Sequence, residues 1–133
     1  MKILFDYKIF YQQKYGGISN YFYNIAKELI KLEQNILFST PIHKNEYISN
    51  LQSNFIYGFK LKFLPHSLNN IFENLNHFLT KKKIEKFKPD IIHESYYSNK
   101  KFINNNIVCT VYDLINEKFP NYFPNSLEIT KLK

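Results

Sequence analysis

Residues able to do chemistry fall in three short stretches of this chain. Gly16 and Gly17 stand between an apolar run, Ile3-Leu4-Phe5, and the most regular helical pattern in the sequence. Adjacent glycines leave backbone N–H groups bare and tolerate positive φ. A helix opening there turns the positive end of its dipole outward, so the pattern suits an anion. The same dipeptide also serves as a simple tight turn. His93-Glu94, followed by Ser95-Tyr96-Tyr97-Ser98, offers an imidazole that titrates near neutrality and aromatic faces suited to C–H-rich rings. A structural histidine and ordinary tyrosine packing are the alternatives there. Tyr112-Asp113 closes the apolar run Ile107-Val108-Cys109-Thr110-Val111. A carboxylate at that point can hold a hydroxyl or orient a neighbour, or else cap the next turn. His43, His66, His77 and His93 are scattered, and no metal-ligand spacing is visible.

The elements that would position these residues follow from periodicity. Residues 2–7 read as a buried strand and residues 8–17 as a long loop at its carboxyl end. Ile18, Tyr21, Phe22, Ile25, Ala26, Leu29 and Leu32 recur at helical spacing, with Ser19 as N-cap. Residues 36–40 form a second strand ended by Pro41, and residues 55–64 a third, stopping at Pro65. Leu68, Ile71, Phe72, Leu75, Phe78 and Leu79 mark the apolar face of a second helix, which Pro89 must stop. Short strands follow over 90–94 and 107–112, then a loop over 116–124 and a last helix capped by Ser126. The order predicts an α/β fold: a Rossmann-like, doubly wound parallel sheet with helices on both faces. All three chemical stretches then lie at the carboxyl ends of strands, where such sheets bind ligands.

Composition narrows the class. With 133 residues, 44% hydrophobic and 18% aromatic, the chain should fold as one domain over residues 1–133. The net charge of +7 implies an anionic partner: phosphorylated molecules, a membrane surface or nucleic acid. The lysines are spread without a compact aromatic and basic face, which argues against nucleic acid. Lys81-Lys82-Lys83 with Lys86 and Lys88 reads as a solvated helix end or as a patch for anionic lipid headgroups. The single cysteine, Cys109, excludes an internal disulfide and reads as a small buried thiol. An acid at Asp6 comes too early for a signal peptide, so the chain is expected in the cytoplasm. A helix barely begun at Lys133 points to a piece of a larger architecture.

Tyr15-Gly16-Gly17-Ile18-Ser19-Asn20-Tyr21-Phe22, Pro89-Asp90-Ile91-Ile92-His93, Thr110-Val111-Tyr112-Asp113-Leu114-Ile115, and Phe119-Pro120 with Tyr122-Phe123-Pro124 together carry a family pattern. In order and spacing they resemble the N-terminal domain of GT4-type (group 1) glycosyltransferases of the GT-B fold. The resemblance covers the whole chain but only the first half of such an enzyme. It implies the acceptor-side domain of a retaining glycosyltransferase that moves a sugar from a nucleotide-sugar to a cell-surface glycan or lipid-linked precursor. It further implies Gly16 and Gly17 near the donor diphosphate, Tyr112 and Asp113 at the reaction centre, and His93, Tyr96 and Tyr97 toward substrate. No metal or other cofactor is implied, the nucleotide-sugar being a co-substrate. The family commonly has His-Asp where this chain has Tyr112-Asp113. A phenol with a pKa of about 10 does not change charge near neutrality. The donor-binding domain is also missing, so activity of the chain alone is not expected. A non-enzymatic remnant or subunit pairing with a separately encoded donor domain, and a flavodoxin-like binding module, are the rival readings.

Overall fold

The computed structural model describes residues 1–102 and 106–122. Five strands form one all-parallel sheet: β1 (Lys2–Phe5), β2 (Asn35–His43), β3 (Ile56–Lys60), β4 (Ile91–Glu94) and β5 (Asn106–Cys109), in the order β3-β2-β1-β4-β5. Helices α1 (Lys8–Gln12), α2 (Gly17–Lys31), α3 (Asn69–Phe87) and α4 (Ile115–Lys118) complete the described elements, with short 3-10 turns between them. This is the expected Rossmann-like layering. None of the described helices is long and apolar enough to cross a membrane.

Alternation along β1 assigns the two faces. Ile3 and Phe5 join Ile36 and Phe38 beneath Phe22 and Ala26 of α2, while Leu4 joins Leu37 and Ile92 against Phe72, Ile84 and Phe87 of α3. Truncating a ring such as Phe22, fully buried and edge-on to Phe5 at 5.8 Å, would cost about 3–5 kcal/mol. The stripe expected on α2 is thus the one that packs, apart from Tyr21, exposed in the second turn, and Leu32, exposed just past the helix end. The N-cap is Gly16 rather than Ser19; Ser19 lies inside the first turn, buried, and its hydroxyl donates to the Gly16 carbonyl at 3.1 Å.

Several expected boundaries shift for local reasons. Residues 8–12 are helical rather than loop, because Ile9, Phe10 and Tyr11 are all buried and one helical turn is the compact way to bury them. Strand β2 runs through Pro41 to His43. β1 pairs with β2 only as far as Phe38, so beyond it the missing N–H of proline breaks no ladder on that side. The register against β3 slips between Ser39 and Ile42. There the side-chain amide of Asn76, buried on α3, acts as a strand: Oδ1 accepts from the Ile42 N–H at 2.7 Å and Nδ2 donates to the Ile42 carbonyl at 3.0 Å. The third strand is shorter than the pattern over 55–64.

Helix α3 overturns the expected apolar face. Asn76 and Thr80 are its buried residues, with Phe72, Ile84 and Phe87 packed beside them, whereas Leu68, Ile71, Leu75 and Phe78 are exposed. Thr80 and Asn76 bond to Ser39 and Ile42, so polar groups with dedicated partners are what turn that side inward. The buried-thiol reading of Cys109 is also overturned: it is exposed, on an edge strand all of whose residues are exposed. Residues 115–118 form α4 inside the span expected to be loop, and the helix expected from Ser126 lies outside the described residues.

Candidate functional site

Strand order reverses at β1: the chain moves outward through β2 and β3, then returns to place β4 on the other side of β1. Loops leaving β1 and β4 therefore lie side by side at the carboxyl edge of the sheet, where folds of this kind bind ligands. The site is built there.

Asp6, just after β1, ties the two loops together. Its Oδ1 accepts from the backbone N–H of Ser95 at 2.9 Å and of Lys8 at 3.2 Å, and from the Ser95 hydroxyl; Ser95 Oγ in turn accepts from the Ile9 N–H at 3.0 Å. Lys8 Nζ sits 2.9 Å from Glu94 Oε1 and 3.4 Å from Asp6 Oδ2, with all three side chains at most 2% exposed. Lys101 reaches the other Glu94 oxygen at 3.4 Å. Two carboxylates facing two ammonium groups balance, which is what lets charge remain in the interior. Burial pushes the Asp6 carboxyl above its ordinary pKa, opposed by the Lys8 charge and the Ser95 bonds. The cluster is a clamp: every charge already faces an opposite one. Its members were missed as a unit, although acids at the carboxyl ends of two apolar strands, Asp6 just after β1 and Glu94 closing β4, were the available signal.

Beside the clamp, on the face of α3, lies a partly open cavity of about 190 Å³ lined by Tyr7, Lys8, Tyr11, Glu73, Tyr97 and Ser98, among others. Tyr7 is fully buried, and its hydroxyl has no hydrogen-bond partner. Burial pushes this phenol upward, so it stays protonated.

On the face of α2 the expected residues partly converge. Tyr112 stands amid Tyr21, Tyr96 and Tyr97, with ring centroids 6.1–6.3 Å away. Its hydroxyl donates to the Ser95 carbonyl at 2.9 Å, and its N–H donates to the Tyr97 hydroxyl oxygen at 3.1 Å. Burial raises the Tyr112 phenol, so it positions the β4 loop and does not exchange protons near neutrality. His93 lies under this cluster, its ring 4.9 Å from Phe22 and 5.7 Å from Phe5, with Nε2 3.1 Å from Thr110 Oγ1. Burial lowers its pKa, so it is neutral at pH 7. Asp113 is exposed, and its Oδ1 accepts from the Ile115 N–H at 3.3 Å, the two-residue bond of an Asx turn leading into α4.

The glycine pair opens α2, as the sequence suggested, and Gly17 is exposed. Yet Gly16 has φ 173°, an extended value open to any residue, so positive φ is not what the pair supplies. A Cβ on Gly17 would meet nothing within 4 Å, and one on Gly16 would meet only the Gln13 side chain. Among the described residues no group of three or more His, Cys, Asp or Glu side chains could hold a metal ion. Comparison of this chain with protein-family models, curated proteins and solved structures gave no match.

Proposed function

We propose that this chain is the acceptor-side domain of a retaining glycosyltransferase, transferring sugar from a nucleotide-sugar to a glycan or lipid-linked precursor in concert with a second, donor-binding domain. One observation carries the reading. At the switch point of a parallel sheet, the loops after β1 and β4 are clamped together by Asp6 and Ser95. Around that junction stand a helix N-terminus opened by Gly16-Gly17, a group of tyrosines and a polar hollow. The first unpaired N–H groups of α2 would face the donor diphosphate. Asp113 would hold an acceptor hydroxyl, with Tyr96 and Tyr97 beside the sugar. Tyr112, fixed to the Ser95 carbonyl, would keep these loops in place, and proton transfer would fall to groups of the other domain or the substrate.

Support for a partner comes from β5. It is an edge strand bearing Ile107 and Val108 on opposite faces, 40% and 43% exposed, although strands of parallel sheets are ordinarily covered on both sides. The same observation favours the second reading, a non-enzymatic subunit, whose partner would carry all the catalytic groups.

Peripheral attachment to an anionic membrane belongs to the same proposal. On α3 the exposed Ile71, Leu75 and Phe78 share a stripe that continues into Lys82 and Lys86, with Lys81 and Lys88 also exposed. Lys82 Nζ lies over the Phe78 ring at 5.4 Å. An apolar stripe flanked by lysines suits the headgroup boundary of anionic lipids.

The test is reconstitution. The purified chain alone should transfer no sugar from uridine- or guanosine-diphosphate sugars; mixed with the donor-binding domain of a GT4-type enzyme, it should. Robust transfer by the chain alone contradicts the half-enzyme reading. A reconstituted pair that keeps full activity with Asp113→Ala favours the subunit.

A further inference from the structure

The fold assembles a row of aromatic and basic side chains that come from separate segments of the chain. The Tyr15 ring meets the Tyr47 ring nearly perpendicular, with centroids 5.8 Å apart, and Tyr47 leads on to Tyr23 at 6.2 Å and an interplanar angle of 30°. A lysine closes each end: Lys14 Nζ lies 5.8 Å from the Tyr15 centroid, and Lys27 Nζ 5.5 Å from that of Tyr23. Tyr15 is 62% exposed, Lys14 and Lys27 are exposed, and Tyr23 and Tyr47 are partly so. Tyr21 belongs to the Tyr112 group, and Tyr23, two positions on along α2, turns away from it, so the row lies apart from that group. The acids near the row already have lysines of their own. Glu46 is paired with Lys60 and stands 4.0 Å from Lys14, while Glu28 is held by Lys31 at 2.7 Å. Among the described residues Lys27 forms no ion pair, so its charge is free to meet an anion from outside.

Cations at both ends of three rings suit a ligand that alternates negative charge with flat faces. A lone phosphate or a lipid headgroup would need its lysines in one place, and an acidic peptide brings charge without rings to lie against the tyrosines. A net charge of +7 draws polyanions in general, and unstacked bases add the faces that tyrosines accept whatever the sequence. We infer that the row Lys14, Tyr15, Tyr47, Tyr23 and Lys27 binds single-stranded nucleic acid without strong sequence preference, its bases lying against the rings and its phosphates meeting the two lysines. The inference stands on this surface and not on sugar transfer. The lysine spacing in the sequence argued against such a partner, because only the fold brings Tyr47 between Tyr15 and Tyr23.

Fluorescence anisotropy of a labelled oligothymidylate of about 12 nucleotides, titrated with the full chain, tests it. Binding with a dissociation constant on the order of 10 μM is expected at about 50 mM salt. An abasic strand of the same length, equal in charge but without bases, should bind about tenfold more weakly. Tyr15→Ala should weaken binding of the thymidylate about tenfold and Tyr15→Phe should retain it, both keeping the parent's melting temperature because this side chain is mostly exposed. Lys14→Gln together with Lys27→Gln should reduce the slope of log affinity against log salt by about 1.4. No binding of the thymidylate, equal binding of the abasic strand or of poly-L-glutamate, an unchanged salt slope in the lysine variant, or Tyr15→Ala binding as tightly as the parent would each overturn the inference. Neither a donor sugar nor a second domain is involved, so failure here leaves the transfer test untouched.

Discussion

At Gly58 the backbone takes φ +137°, and a Cβ built there would lie 1.9 Å from the carbonyl oxygen of Thr40. The position faces the place where β2 slips its register and carries Pro41, so the strands approach too closely for any side chain. Gly58→Ala therefore combines a forbidden φ with a backbone clash and should cost roughly 3 kcal/mol or more. Gly17→Ala has open space and a helical position, and should change stability by less than about 0.5 kcal/mol. Urea denaturation of both variants checks the contrast; equal midpoints would mean that the close approach at Gly58 is relaxed in solution. The glycine that the backbone requires is thus one that no motif marked, because its need arises from a neighbouring strand.

Helix α3 shows how an element can carry two faces with opposite composition. Its inner side holds Asn76 and Thr80, each bonded to β2, and its outer side holds Ile71, Leu75 and Phe78. Because the outer side chains make little contact within the chain, Ile71→Asp with Phe78→Asp should alter stability by about 0.5 kcal/mol or less per site. The same pair should abolish sedimentation with vesicles containing phosphatidylglycerol, while the parent binds these and not pure phosphatidylcholine. Parent protein left in the supernatant with anionic vesicles at low salt would remove the membrane from the proposal. The lysines divide as well: Lys83 turns back over the Tyr57 ring at 4.6 Å, whereas Lys82 stays with the outer stripe.

For the whole molecule, buried histidines set the response to acid. His43 is 2% exposed, and burial, with Lys60 nearby, lowers its pKa from 6.5 to about 4. A folded-state pKa below the unfolded one means that the unfolded chain binds the proton more readily. Stability is then full above about pH 6.5 and falls as pH drops toward 4, by roughly 2 kcal/mol at pH 5. Burial lowers His77 and His93 too, which adds in the same direction. Thermal unfolding at pH 7 and pH 5 should show this drop, and His43→Leu should flatten it; an equally steep fall in the variant would assign the acid sensitivity elsewhere.

Much of the layering was open to reading in the chain, because strand and helix periods follow from local hydrophobic spacing. Ile3-Leu4-Phe5, the stripe through Phe22 and Ala26, and Pro89 after α3 sufficed for a parallel α/β sheet with its loops at one edge. The candidate site was legible only in part. Tyr96, Tyr97 and Tyr112 do come together, but the Asp6–Lys8–Glu94–Ser95 clamp joins residues up to 89 positions apart, and no local pattern reports a pairing that parallel register creates. The inward turn of Asn76 and Thr80 was hidden for a related reason: hydrophobicity ranks single residues, and a buried amide is stable only once its partners on another strand exist. Composition and period thus determined the kind of fold. Which side chains face one another across β1 and β4, and so what the crevice can hold, was decided by three-dimensional packing, since hydrogen bonds and ion pairs there span elements far apart in the chain.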